Sequence, residues 1–230
     1  MQRYFLEQLN SIIVGQDAHH IKKVMRMHVG DELIVCHQGQ CFLASIQELE
    51  PEVTYVISHE LKKPKTLSIT LIQGQPKHPK SETVIKYATI FGASEIIFTT
   101  MQRSISKIDS DSNKLKRLQT IAKEASELAH RFDIPTIKTE KTILNIDFSL
   151  YDLILLADES EKAMTLEKAL PNDFQNLKIA VIIGPEGGIS ESERKALLSK
   201  HVKPISLGYH ILPTEVASLY VLSYLSAKNA

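Results

Sequence analysis

The 230-residue chain is 43% apolar, enough to bury a core in one large domain or two modest ones, and no apolar run is long enough to span a membrane. Its 27 Lys and Arg residues cancel its 27 Asp and Glu residues, which excludes a global field drawing it to nucleic acid or lipid, so any polyanion site has to be a local patch. Such a patch has a candidate place: from Lys65 to Arg131 eleven basic residues, Lys107 among them, face six acidic ones that include Asp109 and Asp111.

Cys36 and Cys41 are the only cysteines and sit in an apolar, strand-like context, while Met1-Gln2-Arg3-Tyr4 has no apolar signal region. Reduced, buried thiols in a cytoplasmic protein are the expectation. Their spacing to His19, His20, His28 and His37 is not that of a zinc knuckle, so no metal site is expected.

In chain order, His19 to Met27 places Ile21, Val24 and Met25 at helical spacing and leaves Lys22, Lys23 and Arg26 toward solvent. Short apolar or alternating runs at Glu32–Val35, Cys41–Ile46 and Val53–Ile57 predict strands of a compact barrel. Lys62-Lys63-Pro64-Lys65 reads as a linker, dividing the chain into residues 1–64 and 65–230. Beyond it the rhythm is α/β: a strand over Leu67–Gln73, a helix over Ser81–Phe91, a strand over Glu95–Thr99 and a helix from Asn113 to Arg131. The last of these carries Leu115, Leu118, Ile121, Ala122, Ala125 and Leu128 at core spacing. Asp152–Ala157 predicts a buried strand, Glu161–Leu170 a helix, Ile179–Ile183 a strand, Ile205–Leu207 a short strand, and a final helix begins at about Thr214. Alternating strands and helices predict a largely parallel sheet covered on both faces, with ligands beyond the carboxyl ends of its strands.

The most informative of those ends is Ile182-Ile183-Gly184-Pro185-Glu186-Gly187-Gly188-Ile189-Ser190. Gly184 allows a sharp exit from the strand, Pro185 cannot extend a ladder, and Gly187-Gly188 bares the backbone. Ser190 with Glu193 has the pattern of a capping box, so a helix should begin at about Glu191. The loop is not a phosphate cradle: Ile189, not Lys, follows Gly188, and Glu186 stands where a dinucleotide fingerprint needs glycine. Glu186, Glu191 and Glu193 would repel a phosphate but not a neutral or cationic ligand, which suits a nucleoside without phosphates. The bland alternative is a tight strand-to-helix turn with no ligand.

Ile183-Gly184-Pro185-Glu186-Gly187-Gly188, followed by Leu207-Gly208, Ile211-Leu212 and Thr214-Glu215, resembles the RsmE-type methyltransferases, which methylate a uridine base of small-subunit ribosomal RNA. The resemblance spans nearly the whole chain. It is supported by Arg3-Tyr4-Phe5, Met25-Arg26 before Val29-Gly30-Asp31, Lys86 ahead of Gly92, Arg103-Ser104, and Glu124-Ala125 with Arg131 and Pro135. It implies an α/β chain with a small N-terminal PUA-like β-barrel that binds RNA, in residues 1–64, and a C-terminal SPOUT domain, a parallel sheet tied in a trefoil knot, in residues 65–230. It also implies S-adenosylmethionine as methyl donor and a homodimer whose active sites draw on both subunits. The partner it implies is ribosomal RNA or the small ribosomal subunit, with no membrane involved.

Carried over residue by residue, the resemblance places the cofactor on Ala157, Glu159, Ile183, Gly184, Pro185, Glu186, Gly187, Gly188, Leu207, Gly208, Ile211, Leu212 and Thr214. Glu215 becomes a candidate acceptor for the uridine N3 proton, and Arg103 and Arg131 candidate partners of the uridine anion. Arg3, Lys22, Lys23, Arg26 and Lys86 become candidates for RNA contact. The chain departs from the pattern at His210 and Pro213, where the family's final motif has arginines, at Ile90 in place of Glu, and at Leu128 in place of Gln. The alternative these departures raise is an RNA-binding protein of the same fold with weak or lost transfer activity.

Overall fold

The computed structural model describes residues 1–106 and 112–229, so Lys107, Asp109 and Asp111 of the basic middle segment lie outside the described residues. The chain divides into two compact units, one of Met1–Lys65 with Ser126–Ile134, the other of Thr66–Ala125 with Pro135–Ala230.

The first unit is a curled five-stranded sheet. In chain order its strands are β1 (Arg3–Phe5), β2 (Ile12–Ile13), β3 (Glu32–His37), β4 (Gln40–Glu48) and β5 (Val53–Glu60), and their spatial order is β1-β3-β4-β5-β2. Leu33 and Val35 point into a core with Tyr4, Ile13, Ala44, Ile46, Val53 and Tyr55, while Ile34 and Cys36 feed a second cluster against Phe132. β3 is thus buried on both sides, as its unbroken apolar run requires. The strands β1 and β2, too short to show a period, were not expected. The cysteines are not the free thiols expected. The β3–β4 register sets Cys36 opposite Cys41 with Cα atoms 4.1 Å apart, and they form a cross-strand disulfide.

The expected helix through Met27 is also corrected. α1 (Gly15–His19) passes into a wider π-type turn over His20–Val24, and the chain then turns at Arg26, whose φ is 51°. Ile21 is buried, but Val24 and Met25 are exposed, because the wider turn shifts the phase of the apolar positions.

The second unit holds a six-stranded, all-parallel sheet. Its elements are β6 (Ser68–Gly74), α2 (Lys80–Ile90), β7 (Glu95–Thr99), α3 (Ser112–Leu128), β8 (Thr136–Glu140), β9 (Leu153–Ala157), α4 (Leu166–Ala169), β10 (Lys178–Ile183), α5 (Glu191–Leu198), β11 (Lys203–Ile205) and α6 (Thr214–Lys228), with strand order β11-β9-β10-β6-β7-β8. Alternate residues feed cores on opposite faces: Ile179, Val181 and Ile183 of β10 join Val84, Ile85, Leu118, Val221 and Leu222, whereas Ala180 and Ile182 join Phe148 and Leu197. Each fully buried Ile, Leu or Val contributes about 1.5–3 kcal/mol, so the central strands anchor the fold.

Three expectations change here. The helix expected over Glu161–Leu170 shortens to Leu166–Ala169, because Glu161 Oε1 accepts the amides of Ala163 (2.7 Å) and Met164 (2.9 Å) in a turn, and Thr165 caps the later start. The short strand expected over Ile205–Leu207 is Lys203–Ile205, which pairs with β9 up to Ala157. Leu128, expected in the core, is 68% exposed, whereas Leu118, Ala122 and Ala125 are buried. Among the described residues no helix is long and apolar enough to cross a membrane.

Candidate functional site

The strands β11, β9 and β10 are neighbours, and the loops that leave their carboxyl ends enclose a cleft of about 560 Å³. Residues 158–162 form one wall, 184–189 the second and 206–213 the third. This is where an open parallel sheet places its ligand.

The 184–189 loop is held from behind. Thr214 Oγ1, at the start of α6, donates to Gly184 O at 2.5 Å and accepts from Gln73 Nε2 at 2.8 Å. Gly74, next in β6, lies so close that a Cβ there would stand 2.6 Å from both N and Cδ of Pro185. The loop then runs into α5 through a capping box, Ser190 Oγ accepting the Glu193 amide at 3.2 Å and Glu193 Oε2 accepting the Ser190 amide at 3.2 Å. Glu193, 4% exposed, has a second task, since its Oε1 accepts the Gln102 amide at 2.8 Å. That bond fixes the turn carrying Arg103, whose Nη1 donates to Gly187 O at 3.3 Å.

The first wall is tied to α5 by Arg194 Nε and Asp158 Oδ2, 2.5 Å apart, with the Asp158 side chain only 6% exposed. The third wall makes few bonds of its own. Gly208 N–H reaches Ser206 Oγ at 3.3 Å, and Tyr209 and Ile211 project outward at 95% and 81% exposure.

Lys80, the first residue of α2, lines the cleft and joins two acids: Glu215 Oε2 at 3.0 Å and Glu186 Oε1 at 3.6 Å. The hydrogen bond to Glu215, outweighing a small burial effect and reinforced by Glu186, holds the Lys80 ammonium above its ordinary range. Burial pushes the Glu186 carboxyl up, but the Lys77 amide, its own amide and Lys80 together hold it below the ordinary carboxylate range.

Of the residues expected to hold the cofactor, Ala157, Glu159, Ile183, Gly184, Pro185, Glu186, Gly188, Leu207, Gly208, Ile211, Leu212 and Thr214 line the cleft. Gly187 faces the other way: a Cβ there would meet Arg103 O at 2.8 Å, so its smallness serves the packing of the Arg103 turn. Thr214 places its hydroxyl on Gly184 and Gln73. Arg103 lines the cleft, and Glu215 is one residue removed from it, behind Lys80. Arg131 falls in the first unit, with its guanidinium 2.7 Å from Asp133 Oδ1.

The RNA candidates separate likewise. Arg3 is not presented to phosphate: it is 6% exposed, its Nη1 donates to the carbonyls of His130 and Arg131, its guanidinium stacks 5.0 Å from the Phe132 ring, and burial lowers its pKa. Lys22 is paired with Glu50 at 3.1 Å, whereas Lys23, Arg26 and Lys86 are exposed. Lys80, Gln73 and Arg194 were missed by sequence reasoning. Each works through a partner distant in the chain: Lys80 through Glu186 and Glu215, Gln73 through Thr214, and Arg194 through Asp158.

A parallel sheet that gathers three strand-end loops and the start of the C-terminal helix around one cleft is a SPOUT-type domain, and the curled sheet beside it in sequence is a PUA-like module. The RNA methyltransferase domain family matches residues 63–226, and the RNA methyltransferase PUA domain family matches residues 13–53. The chain belongs to the RNA methyltransferase family. It is 30% identical to ribosomal RNA small subunit methyltransferase E of Bacillus subtilis, over 98% of this chain and 96% of that one. It is 31% identical to the protein of the same name from Rickettsia conorii, over 89% and 84%. Among solved structures, ribosomal RNA small subunit methyltransferase E from Neisseria gonorrhoeae, bound to S-adenosyl methionine, shares the fold with a TM-score of 0.84 at 22% identity, covering 99% of this chain and 98% of that one.

Proposed function

We propose that this chain transfers the methyl group of S-adenosylmethionine to N3 of a uridine in small-subunit ribosomal RNA, working in the cytoplasm as a homodimer. The observation that carries the reading is the cleft, where bare backbone at 184–186, 188 and 207–212 is accompanied by the carboxylates of Asp158, Glu159, Glu161, Glu186 and Glu191. Of the cations that share the lining with Arg103 and Lys162, Arg194 is paired with Asp158 and Lys80 with Glu186, which leaves a slight excess of acid. Such a surface suits a nucleoside that bears a cation and no phosphate. The backbone amides and carbonyls of the 207–212 wall make few internal bonds, which leaves hydrogen-bonding edges for an adenine ring, and Leu212 packs on the core to hold that wall in place.

When bound, the cofactor supplies a methyl carbon on a sulfonium leaving group, so the protein's main task is alignment, for which effective molarity can account for about 7–11 kcal/mol of the barrier. Gly184, Leu207 and Leu212 hold the adenosine through their backbones, with Ala157, Ile183 and Gly188 closing on it. Arg103, anchored by Glu193 through Gln102, stands where it can face the negative charge that grows on uracil as N3 loses its proton. Arg131 supports the fold through Asp133, and Glu215 acts through Lys80. The target uridine has to be unpaired, since a stacked or paired N3 cannot reach the cleft. Lys23 and Arg26 contact phosphates. The exposed Tyr87, Val216 and Tyr220, on α2 and α6, offer an apolar face for the second subunit.

Nucleoside mapping by mass spectrometry, on ribosomal RNA from cells with and without the gene, tests the reading. Loss of a 3-methyluridine from the small-subunit RNA is expected. An unchanged nucleoside profile would refute it, and the absence of heat on titrating the protein with S-adenosylmethionine at high micromolar concentration would favour an RNA-binding protein without transfer activity.

A further inference from the structure

Lys80 is the cation that α2 delivers to the cleft, and its surroundings are unusual for a surface lysine. It starts its helix, it is one-third exposed, and its ammonium lies between two carboxylates from separate segments, Glu186 of the 184–189 loop and Glu215 of α6. Both carboxylates are four-fifths buried, and Glu186 is further fixed by the Lys77 amide at 3.0 Å. An ammonium has three N–H donors. The two carboxylates hold it as ion pairs, at 3.0 and 3.6 Å, and donor capacity remains for a ligand in the cleft that Lys80 lines. Two acids on one base also hold the group protonated and restrict its rotation, which turns a flexible side chain into an oriented positive charge.

Uridine N3 lies between two carbonyl carbons, and the charge left when its proton departs spreads onto O2 and O4. A fixed cation beside either oxygen makes that loss easier, and it does more in a cleft than it would in water.

We propose that the Lys80 ammonium is a further catalytic group, which hydrogen-bonds a carbonyl oxygen of the bound uracil and stabilises the N3 anion. The proposal rests on the uridine-N3 reading given above. In the step, the N3–H bond breaks and its proton passes to water at the mouth of the cleft. The electron pair left on N3 forms the N3–CH3 bond, and the S–CH3 bond pair remains on sulfur, giving a neutral thioether. Lys80 keeps its proton throughout, and Glu186 and Glu215 hold it in place. The same ammonium could instead meet the carboxylate of the methyl donor, so the test has to separate the two oxygens.

The test uses full-length protein with Lys80→Met and Lys80→Arg. Substrates are small-subunit RNA transcribed with uridine or with 5-fluorouridine, whose ring fluorine makes N3 more acidic. For Lys80→Met, kcat on the uridine RNA should fall by about 10²-fold, the scale for removing one oriented charge or donor from a developing anion. The deficit relative to wild type should shrink on the 5-fluorouridine RNA, and Lys80→Arg should recover most of the rate. Calorimetric affinity for S-adenosylmethionine should stay at the wild-type value.

An equal deficit on both RNAs, or an unchanged kcat, overturns the proposal. So does a loss of affinity for S-adenosylmethionine that is absent with 5′-methylthioadenosine, which lacks the carboxylate; that result would assign Lys80 to the cofactor tail. A wild-type protein that methylates neither RNA counts against the uridine-N3 reading itself. If Lys80→Met does not fold, the charge-balanced Lys80→Gln/Glu215→Gln variant takes its place in the same measurements.

Discussion

Gly74→Ala is the most demanding test of how the cofactor loop is held. The added Cβ would lie 2.6 Å from both N and Cδ of Pro185 and 3.0 Å from Gly184 C, whereas ordinary contact begins at 3.4 Å, so β6 and the loop have to part by about 0.8 Å. The obstacle is backbone and a proline ring, and neither can rotate away. Overpacking of this kind costs about 1–3 kcal/mol. The displacement falls on Gly184, whose carbonyl takes the Thr214 hydroxyl at 2.5 Å, so the loop and the start of α6 are pulled apart together. The free-energy loss should appear in chemical denaturation, and affinity for S-adenosylmethionine should drop by at least about tenfold, the equivalent of 1.4 kcal/mol. Gly188→Ala serves as a contrast. Its Cβ would meet Glu159 Oε1 at 3.6 Å and Arg103 Nη1 at 3.9 Å, both ordinary contacts, so the cost there comes from holding alanine at φ +70°. That cost is about 1–2 kcal/mol. A Gly74→Ala protein with wild-type stability and wild-type cofactor affinity would refute the claim that close approach of β6 sets the loop.

Thr214→Val removes the hydroxyl that both donates to Gly184 O and accepts from Gln73, which leaves buried groups unmatched; a loss of about 1–3 kcal/mol in denaturation is expected, together with weaker cofactor binding by calorimetry. Asp158→Asn weakens the Arg194 pair that ties the first wall to α5, and hydrogen bonds to charged groups contribute about 1.5–3 kcal/mol, so a lowered melting temperature should accompany it. Arg26→Ala and Lys23→Ala should each reduce the slope of log affinity for RNA against log salt by about 1, whereas Arg3→Ala should destabilise the first unit. Asp133 gives a pH test. Burial pushes its carboxyl up, but hydrogen bonds and charge from Arg131 and Lys63 outweigh this and hold it below the ordinary range. A depressed folded-state pKa means that its stabilisation is present above the unfolded carboxylate pKa and is lost as pH falls through the lower folded value. Asp133→Asn should therefore flatten the acid side of a plot of stability against pH, and an acid limb that keeps its wild-type steepness would argue against the pair.

How far the sequence could be read depended on whether a signal was local. β10 and β7 were legible because a strand buried on both faces has to be an unbroken apolar run, and α5 because Ser190 and Glu193 specify their own cap. The 184–189 loop, which lines the cleft, was legible as a bare strand-to-helix turn because its glycines and acids are adjacent in the chain. The failures share a cause as well. Glu161 looked like a first-turn helix acid, but it closes a turn of its own on Ala163 and Met164. Val24 and Met25 sat at helical spacing, but the π-type turn changes the period. Arg3, a candidate phosphate contact by resemblance, is claimed by the fold instead, which brings the carbonyls of residues 130 and 131 to its guanidinium.

The cleft itself shows why its most telling groups were hidden. Its walls come from residues 158–162, 184–189 and 206–213, and they meet because β9 pairs with both β10 and β11, a neighbour relation that hydropathy alone does not encode. At the start of α6, consecutive residues then take different partners: Thr214 turns its hydroxyl to Gly184 on the cofactor loop, while Glu215 reaches the Lys80 ammonium on α2. Pro213, with φ of −53°, sets the backbone just before them and needs no donor at a helix start, so a proline at this position is compatible with both contacts. Pro213 therefore brings no charge to the rim and leaves the joint behind it intact. Arg103 and Lys80, which α5 and α6 hold against the same loop, line the cleft together with Lys162 and Arg194.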